Sequence, residues 1–334
     1  MTLAMLAFSE KGLLLAERLQ ALLPGETGSA ERCPKDGLHA WTARHFAAAD
    51  ALVFIGAAGI AVRAISPFVD RKTCDPAVLV MDECAEFVIP ILSGHIGGAN
   101  ALAERLAALL GARAVITTAT DCNGLFAVDS WAAEQGYVIR NPERIKQVSA
   151  RLLSHGTTRL KSDFEILIDP ALEGQILLTE HPPFDVRIGI KDDNDLALHL
   201  IPPVLTLGVG CKRNTPASAI HNAFDRLCAD FNFEPRAFNQ VCSVDLKADE
   251  PGLRDFCRNS ALPFATFSAQ ALAALPGDFT ASDFVLQTTG VDNICERSAV
   301  LGSQGKLLIQ KQAFDGVTMA VAITAHKVHV TQAP

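Results

Sequence analysis

Short apolar runs alternate with stretches of helical periodicity along most of the chain. The clearest example begins at the apolar, β-branched run Phe87–Leu92, which ends at Ser93. Leucines then recur at helical spacing over residues 102–110, and Gly111 supplies the stop that a helix C-terminus prefers. Residues 114–118 form a second apolar run. This pattern predicts a strand, a glycine-rich turn, a helix and a second strand, arranged as one right-handed βαβ unit.

The order of strand, glycine turn and helix occurs twice more. Residues 52–55 form an apolar run that leads into a turn with two glycines and a short helical pattern. Residues 204–209 lead into a second glycine loop and an amphipathic helix, for which Thr215 is the predicted N-cap. Residues 78–81 and 87–92 flank a polar pentapeptide, which predicts a hairpin. Repeated units of this kind are typical of α/β domains.

The middle of the chain has a different texture, with short β-rich segments separated by turn residues. We therefore predict an α/β fold in three parts. These are a Rossmann-like, mostly parallel α/β domain (residues 1–126), a small β-rich α+β middle module (127–202) and a second α/β domain (203–334). Residues 24–34, which are rich in Gly, Ser, Thr and Pro, are predicted to be a loop.

Composition narrows the class of protein. A chain of 334 residues is too long for one typical hydrophobic core, so more than one domain is expected. The net charge of −8 disfavours non-specific binding of nucleic acids. The nine cysteines form no C-x-x-C pair, so reduced thiols are expected rather than disulfides or structural zinc. We see neither a membrane-length apolar run nor a signal-peptide pattern, and we expect a cytoplasmic protein with no membrane contact.

Candidate chemistry is concentrated in the turn of residues 93–98. Gly94, Gly97 and Gly98 allow positive φ and close approach of a ligand, and the following helix start favours an anion. His95 is the titratable side chain of this turn and is a candidate acid or base near neutral pH. The alternative is a turn chosen for tight packing, with His95 capping the backbone. The spacing matches neither the dinucleotide nor the P-loop motif, so nucleotide binding is weakly supported.

Other charged residues follow predicted strands or begin predicted helices. Asp121 follows a strand, where it would face a ligand or close a turn. Arg63, and the adjacent pair Lys212 and Arg213, suit carboxylate binding, or else they are surface cations. Glu296 lies in the first turn of a predicted helix, where the helix dipole alone stabilises an acid. The chain has no G-x-S-x-G, no H-E-x-x-H and no metal-ligand spacing, which disfavours serine and zinc hydrolases.

Several motifs together resemble one known family, the cobalt-precorrin-5A hydrolases, also called CbiG-type proteins. The N-terminal half contains GAAGIAVRAISP, DPAVLVMDE, ILSGHIGGANALAERLA and VITTATD. The C-terminal part contains LGVGCKRNTPASAI, VDLKADEPGL, GVDNICE and LLIQKQAFDGVTMAVA. The resemblance covers nearly the whole chain, and the middle module is its least distinctive part. Departures are small: Asn214 stands where the family often has glycine, and Arg297 and Ser298 stand where small apolar residues are commoner.

The resemblance implies a reaction of anaerobic cobalamin synthesis. Water opens the δ-lactone of cobalt-precorrin-5A, and the C20 carbon leaves with its methyl group as acetaldehyde, giving cobalt-precorrin-5B. On this interpretation His95 is the general base, and the N–H groups around Gly97 and Gly98 hold an oxyanion or a substrate carboxylate. Asp121 or Glu296 would take the hydroxyl proton that acetaldehyde release requires. The cobalt arrives inside the substrate, so no cofactor and no protein-bound metal are expected.

The substrate implied is a flat macrocycle with many carboxylate arms, for which cations are needed. The candidates are Arg63, Lys212, Arg213, Lys247 and Lys311. We expect them to line a cleft between the two α/β domains, where the three strand–turn–helix loops would meet. Channelling with neighbouring pathway enzymes is a possible partnership, and the sequence leaves the oligomeric state open. Two alternatives are a tetrapyrrole carrier without chemistry and a nucleotide- or sugar-phosphate-binding protein.

Overall fold

Four β-sheets flanked by helices, three of them mixed and the fourth a parallel pair of strands, make up the computed structural model, which describes residues 1–71, 74–95 and 97–332. Ile96, inside the predicted turn, lies outside this range, as do the last two residues of the predicted C-terminal domain. The α/β class predicted from the sequence is confirmed. No helix among the described residues has the length and apolar character needed to cross a membrane.

The N-terminal sheet has the strand order β2-β1-β3-β4-β5-β6, and every neighbouring pair is parallel except β4 and β5. The predicted hairpin is confirmed, and so is the βαβ unit, except that its second strand spans only Arg113–Ala114 and not residues 114–118. The elements are β1 (Thr2–Ala7), α1 (Glu10–Leu22), β2 (Thr27–Arg32), α2 (Leu38–Phe46), β3 (Ala51–Ile55), α3 (Ala58–Ile65), β4 (Ala77–Met81), β5 (Phe87–Leu92), α4 (Ala99–Leu110), β6 (Arg113–Ala114) and α5 (Ala119–Cys122).

Local sequence explains most of this sheet. The Ser9 side chain accepts a hydrogen bond from the Gly12 N–H and caps α1, and strands β1, β3 and β4 are almost wholly buried. The prediction of a loop over residues 24–34 was wrong, because β2 lies within it. Strand β2 is a polar edge strand that pairs on one side only, so it lacks the apolar run that marks a buried strand.

The middle region contains a sheet with the order β10-β8-β11-β12-β7, in which the pairs are parallel except β12 with β7. Its elements are α6 (Val128–Glu134), β7 (Val138–Ile139), α7 (Ile145–His155), β8 (Thr158–Ser162), β9 (Ile166–Ile168), β10 (Ile176–Leu178), β11 (Val186–Ile188) and β12 (Leu198–Ile201). The Asn141 side chain donates to the Ala197 carbonyl and accepts from the His199 N–H, which ties the segment before α7 to β12.

The C-terminal sheet has the order β15-β14-β13-β17-β16. Its parallel strands β13, β14 and β15 end at one edge, and β17 runs antiparallel to β13. The elements are β13 (Leu205–Cys211), α8 (Ala217–Phe231), β14 (Phe238–Val244), α9 (Pro251–Asn259), β15 (Phe264–Phe267), α10 (Ala269–Ala274), α11 (Asp283–Thr289), α12 (Cys295–Ser303), β16 (Lys306–Phe314), β17 (Val317–Ile323) and β18 (Val328–Val330).

Two details of this region refine the sequence analysis. Pro216, not Thr215, is the N-cap of α8, and the Thr215 hydroxyl donates to the Lys212 carbonyl. Asn214 has a φ of 62°, which is the left-handed conformation that asparagine tolerates better than most residues.

The last strand returns to the middle of the molecule. Strand β18 pairs in parallel with β9, and its residues Val328 and Val330 are fully buried in the core of the middle region. The indole N–H of Trp131 donates to the His329 carbonyl at 2.9 Å. The predicted boundaries had grouped this tail with the C-terminal domain, whereas β18 pairs with β9 and packs into the core of the middle region.

Candidate active site

His95 lies between two carboxylates. It belongs to the turn between β5 and α4, and its Nε2 lies 3.2 Å from Oδ2 of Asp121 in α5. Its Nδ1 lies 3.4 Å from Oδ1 of Asp129, in the first turn of α6. The imidazole is therefore fixed from both of its nitrogens, which is how a protein sets the orientation and protonation of a catalytic histidine.

The two carboxylates differ in exposure. The Asp129 side chain is 4% exposed, whereas that of Asp121 is 28% exposed. Asp129 is therefore the inner partner, which orients the ring, and Asp121 is the outer partner, which solvent can reach. The same division between an orienting carboxylate and a working face of histidine occurs in catalytic triads.

Asn100, at the start of α4, holds the outer carboxylate in place. Its side-chain amide donates to Asp121 Oδ2 at 2.8 Å and to the Thr118 hydroxyl at 3.0 Å. A Cβ atom on Gly94 would lie 2.8 Å from the Asn100 side-chain oxygen. Glycine at position 94 is thus required for the close packing that positions Asp121.

A cleft of about 540 Å³ opens beside this histidine. Gly94, His95, Gly98 and helix α4 line one side, and helix α6 and Gln332 line the other. Its charged lining side chains are His95, Glu104, Asp121 and Glu134, and no lysine or arginine is among the described residues of its wall. The sequence had predicted a cationic cleft between the two α/β domains. This cleft does not match that prediction. Residues of the middle region line part of it, and its charged side chains other than His95 are carboxylates.

The surrounding carboxylates shift the titration of the site. The pKa of His95 is raised, chiefly by its hydrogen bond to Asp129, against the opposing effect of burial; the charges of Asp129 and Asp121 add to the rise. The pKa of Glu104 is also raised, first by burial and then by the negative charge of Asp121. At neutral pH the site therefore favours an imidazolium more strongly than an isolated histidine does.

The start of helix α4 is not an open anion site. The Gly98 N–H donates to the His95 carbonyl at 2.8 Å, and the N–H groups of Ala99 and Asn100 donate to the carbonyls of Ser93 and Gly94. The predicted oxyanion role of the Gly98 amide is corrected accordingly, because its hydrogen is already used within the turn. Gly97 packs against Ser93.

The predicted cations lie elsewhere and differ in kind. Lys212 and Arg213 are exposed in the loop after β13, and Arg63 is exposed on α3. Lys247 is half-buried and pairs at 2.8 Å with Glu250, whose other oxygen accepts from the Asn214 N–H. The Lys247 charge is therefore balanced within the protein.

The buried position of Glu296 contradicts the catalytic role that was predicted for it. Its residue is fully buried in α12, and its carboxylate accepts from the N–H and hydroxyl of Thr280, both at 2.8 Å, and from the Lys311 N–H at 2.6 Å. A carboxylate with these donors and no exposure joins α12 to β16 and cannot meet a substrate.

Comparison with known proteins agrees with this architecture. Family models described as Cobalamin synthesis G N-terminal and Cobalamin synthesis G C-terminus match residues 40–121 and 205–322. The chain is 37% identical to a cobalt-precorrin-5A hydrolase of Salmonella typhimurium, with 96% of this chain and 97% of that protein covered. The chain belongs to the cobalt-precorrin-5A hydrolase (CbiG) family.

Two further relatives are similar to parts of this CbiG-family chain. A cobalt-precorrin-5A hydrolase of Priestia megaterium is 30% identical over 81% of this chain and 78% of its own length. Protein CobE of Sinorhizobium sp is 31% identical over 35% of this chain and 79% of its own length.

Sequence reasoning missed Asp129, which lies between the two ranges matched by the CbiG models. One signal for it was available. Asp129 and the apolar Ala132 are three residues apart in α6, on its buried face. An acid on such a face needs a buried partner, which here is His95. Among the described residues of this CbiG-family protein, no group of three or more His, Cys, Asp or Glu side chains has the arrangement of a metal site.

Proposed function

We propose that this protein hydrolyses cobalt-precorrin-5A. It opens the δ-lactone with water and releases C20 and its methyl group as acetaldehyde, leaving cobalt-precorrin-5B. Family membership supports this reaction, and the observation that carries the mechanism is His95 held between Asp121 and Asp129 at the wall of a cleft. The enzyme is a hydrolase that also breaks a carbon–carbon bond.

His95 was predicted to be the general base, and its surroundings suggest a more specific role. Two carboxylates raise its pKa, which favours the imidazolium, and we propose that this is the form that enters the reaction. The proton on Nε2, which His95 shares with Asp121, is the proton that is donated to the lactone. Water adds to the acyl carbon, the acyl C–O bond breaks, and the departing C20 oxygen takes this proton to become a hydroxyl.

Neutral His95 is then the base for the second step. It takes back the proton of the C20 hydroxyl as the bond between C20 and the macrocycle breaks, in a retro-aldol cleavage. Acetaldehyde leaves, and the electron pair of the broken bond passes to the conjugated macrocycle. The cobalt belongs to the substrate, and we propose no cofactor for the protein itself.

Charge determines which part of the substrate enters the cleft. Its acidic wall repels the carboxylate arms of a tetrapyrrole, whereas the uncharged lactone edge is accepted. We propose that the arms extend out of the cleft and are bound by exposed cations, for which Lys212 and Arg213 are suited. Arg63 and Lys311 remain candidates for the same contacts. We further propose a cytoplasmic enzyme that receives this small molecule from neighbouring pathway enzymes, with no nucleic-acid or membrane partner.

The test is acetaldehyde release from cobalt-precorrin-5A by the purified protein, measured with a carbonyl-trapping reagent. We expect catalytic turnover, with one acetaldehyde for each lactone opened. Stoichiometric binding of the substrate without acetaldehyde would instead establish the alternative, a carrier that performs no chemistry. Tight binding of a mononucleotide without tetrapyrrole affinity would contradict both.

A further inference from the structure

The proposed reaction requires a group that His95 does not provide. An imidazolium that protonates the departing oxygen cannot also take a proton from the attacking water. A second residue must therefore act as base at the same cleft. The following inference rests on the proposed function and concerns the identity of this residue.

Two of the predicted acids are unavailable for this role. Glu296 is fully buried and its oxygens accept three hydrogen bonds. Asp121 is engaged by His95 and by the Asn100 amide at 2.8 Å. The charge of Asp121 is thus used to hold the imidazolium, so the base for water is sought among the other carboxylates of the cleft wall.

Glu104 has the required position. It follows Asn100 by four residues in α4, so both side chains lie on the same face of the helix, beside Asp121. It lines the cleft with His95 and is half-buried. Among the ion pairs of the described residues Glu104 has none, and the adjacent Arg105 pairs instead with Glu26 at 2.9 Å.

Glu134, on the opposite wall, is the other candidate and differs in two respects. Glu134 is more exposed than Glu104. Its pKa is raised only by the partial burial of its carboxyl group, with no contribution from the charge of Asp121. Glu104 lies one turn of α4 after Asn100, whose amide contacts Asp121, and the charge of Asp121 adds to burial in raising the Glu104 pKa. A carboxylate of raised pKa is a stronger base than an ordinary one, provided that it stays ionised.

We infer that Glu104 is the catalytic base that activates the hydrolytic water. Its carboxylate takes one water proton as the oxygen bonds to the lactone carbon, while His95 protonates the departing C20 oxygen. In the second step His95 recovers the hydroxyl proton, and Glu104 gives its proton to the macrocycle carbon that receives the electron pair. Both residues thus return to their initial protonation states, and water is the co-reactant consumed.

The test compares Glu104→Gln with Glu134→Gln and with Glu17→Gln, an exposed site on α1. Lactone-opened product and acetaldehyde are measured separately at saturating cobalt-precorrin-5A. We expect Glu104→Gln to lower kcat by about 100-fold or more, with KM changed less than about threefold, and to remove the acid limb of the pH profile. Glu134→Gln should lose much less, and Glu17→Gln should match wild type.

Each outcome is informative. Wild-type kcat in Glu104→Gln, or an equal loss in Glu134→Gln, overturns the assignment of Glu104 while leaving the hydrolase function intact. Absence of acetaldehyde from the wild-type protein overturns the function itself. Thermal unfolding of all three variants verifies that any loss is not a loss of fold, since glutamine preserves the size of the side chain.

Discussion

The His95 cleft and the carboxyl edge of the C-terminal sheet divide the properties that a single site was predicted to have. The cleft is concave and acidic, and it contains a histidine held by two carboxylates. The C-terminal edge has the cations, of which Lys212 and Arg213 are exposed and Lys247 is paired. From this difference we infer a division of labour, in which proton transfer and recognition of carboxylate arms are expected to be separate tasks. Variants of each region should therefore fail in different ways.

The largest effect is expected at His95. Replacement by asparagine removes the proton donor of lactone opening and the base of C–C cleavage, and should lower the rate of acetaldehyde release on the order of 10³-fold. Steady-state kinetics with a trapping assay measure this loss. His221→Asn, at an exposed histidine 3.6 Å from Asp225, is the matched control and should retain wild-type activity. Near-normal turnover in His95→Asn would remove the cleft from the mechanism.

The second effect concerns stability in the C-terminal region. Glu296→Gln places an amide NH₂ against donors that now bond a buried carboxylate, and should lower the free energy of unfolding by about 3 kcal/mol. Urea denaturation measures the change, with Glu17→Gln as the control. The folded variant should retain kcat. An unchanged unfolding midpoint combined with lost turnover would restore the catalytic role first predicted for Glu296.

A smaller effect, visible in the pH profile, is expected at Asp129. The hydrogen bond to Asp129 is the main reason that the pKa of His95 is raised, so Asp129→Asn should lower this pKa. The imidazolium is then lost at lower pH, and the alkaline limb of kcat/KM moves to lower pH. We expect about a tenfold loss near pH 8 and a much smaller loss near pH 6. A uniform loss at all pH values would indicate a merely structural role.

The smallest effect is expected at the exposed cations. Replacing Lys212 and Arg213 together by glutamine should raise KM roughly fivefold and leave kcat unchanged, because exposed ion pairs contribute little each and bind ground and transition states alike. The control is the double variant Lys35→Gln/Lys146→Gln, at exposed lysines in other parts of the surface. A fall in kcat with constant KM would place these cations in the chemical step.

Much of the fold was predictable because it depends on local pattern. The strand, turn and helix from β5 to α4 follow from an apolar run, a glycine turn and leucines at helical spacing. These are local signals that do not depend on contacts distant in sequence. Strand β2 was not predictable in this way, since a polar edge strand is recognised only by its partner. The return of β18 to the middle region, where it pairs with β9, also depends on long-range pairing.

The site was predictable in its centre and not in its surroundings. His95 lies in the predicted turn and Asp121 lies in the short helix α5, and the structure places them in contact. Asp129 contacts His95 and Glu104 lines the same cleft, but both lie within helices, so their positions relative to His95 depend on how these helices pack. The cations were assigned from their charge and from their positions next to predicted strands and helices. Neither property specifies which surface of the folded protein a side chain occupies.

The most direct test is a crystal structure of the His95→Asn variant with cobalt-precorrin-5A bound. We expect the lactone to lie in the cleft, next to Asp121 and Glu104, and within about 3.5 Å of the position that the Nε2 atom of His95 occupies in the wild-type protein. The carboxylate arms should point outward. A lactone seated instead against the C-terminal sheet edge, beside Lys212 and Arg213, would contradict the division between the two regions.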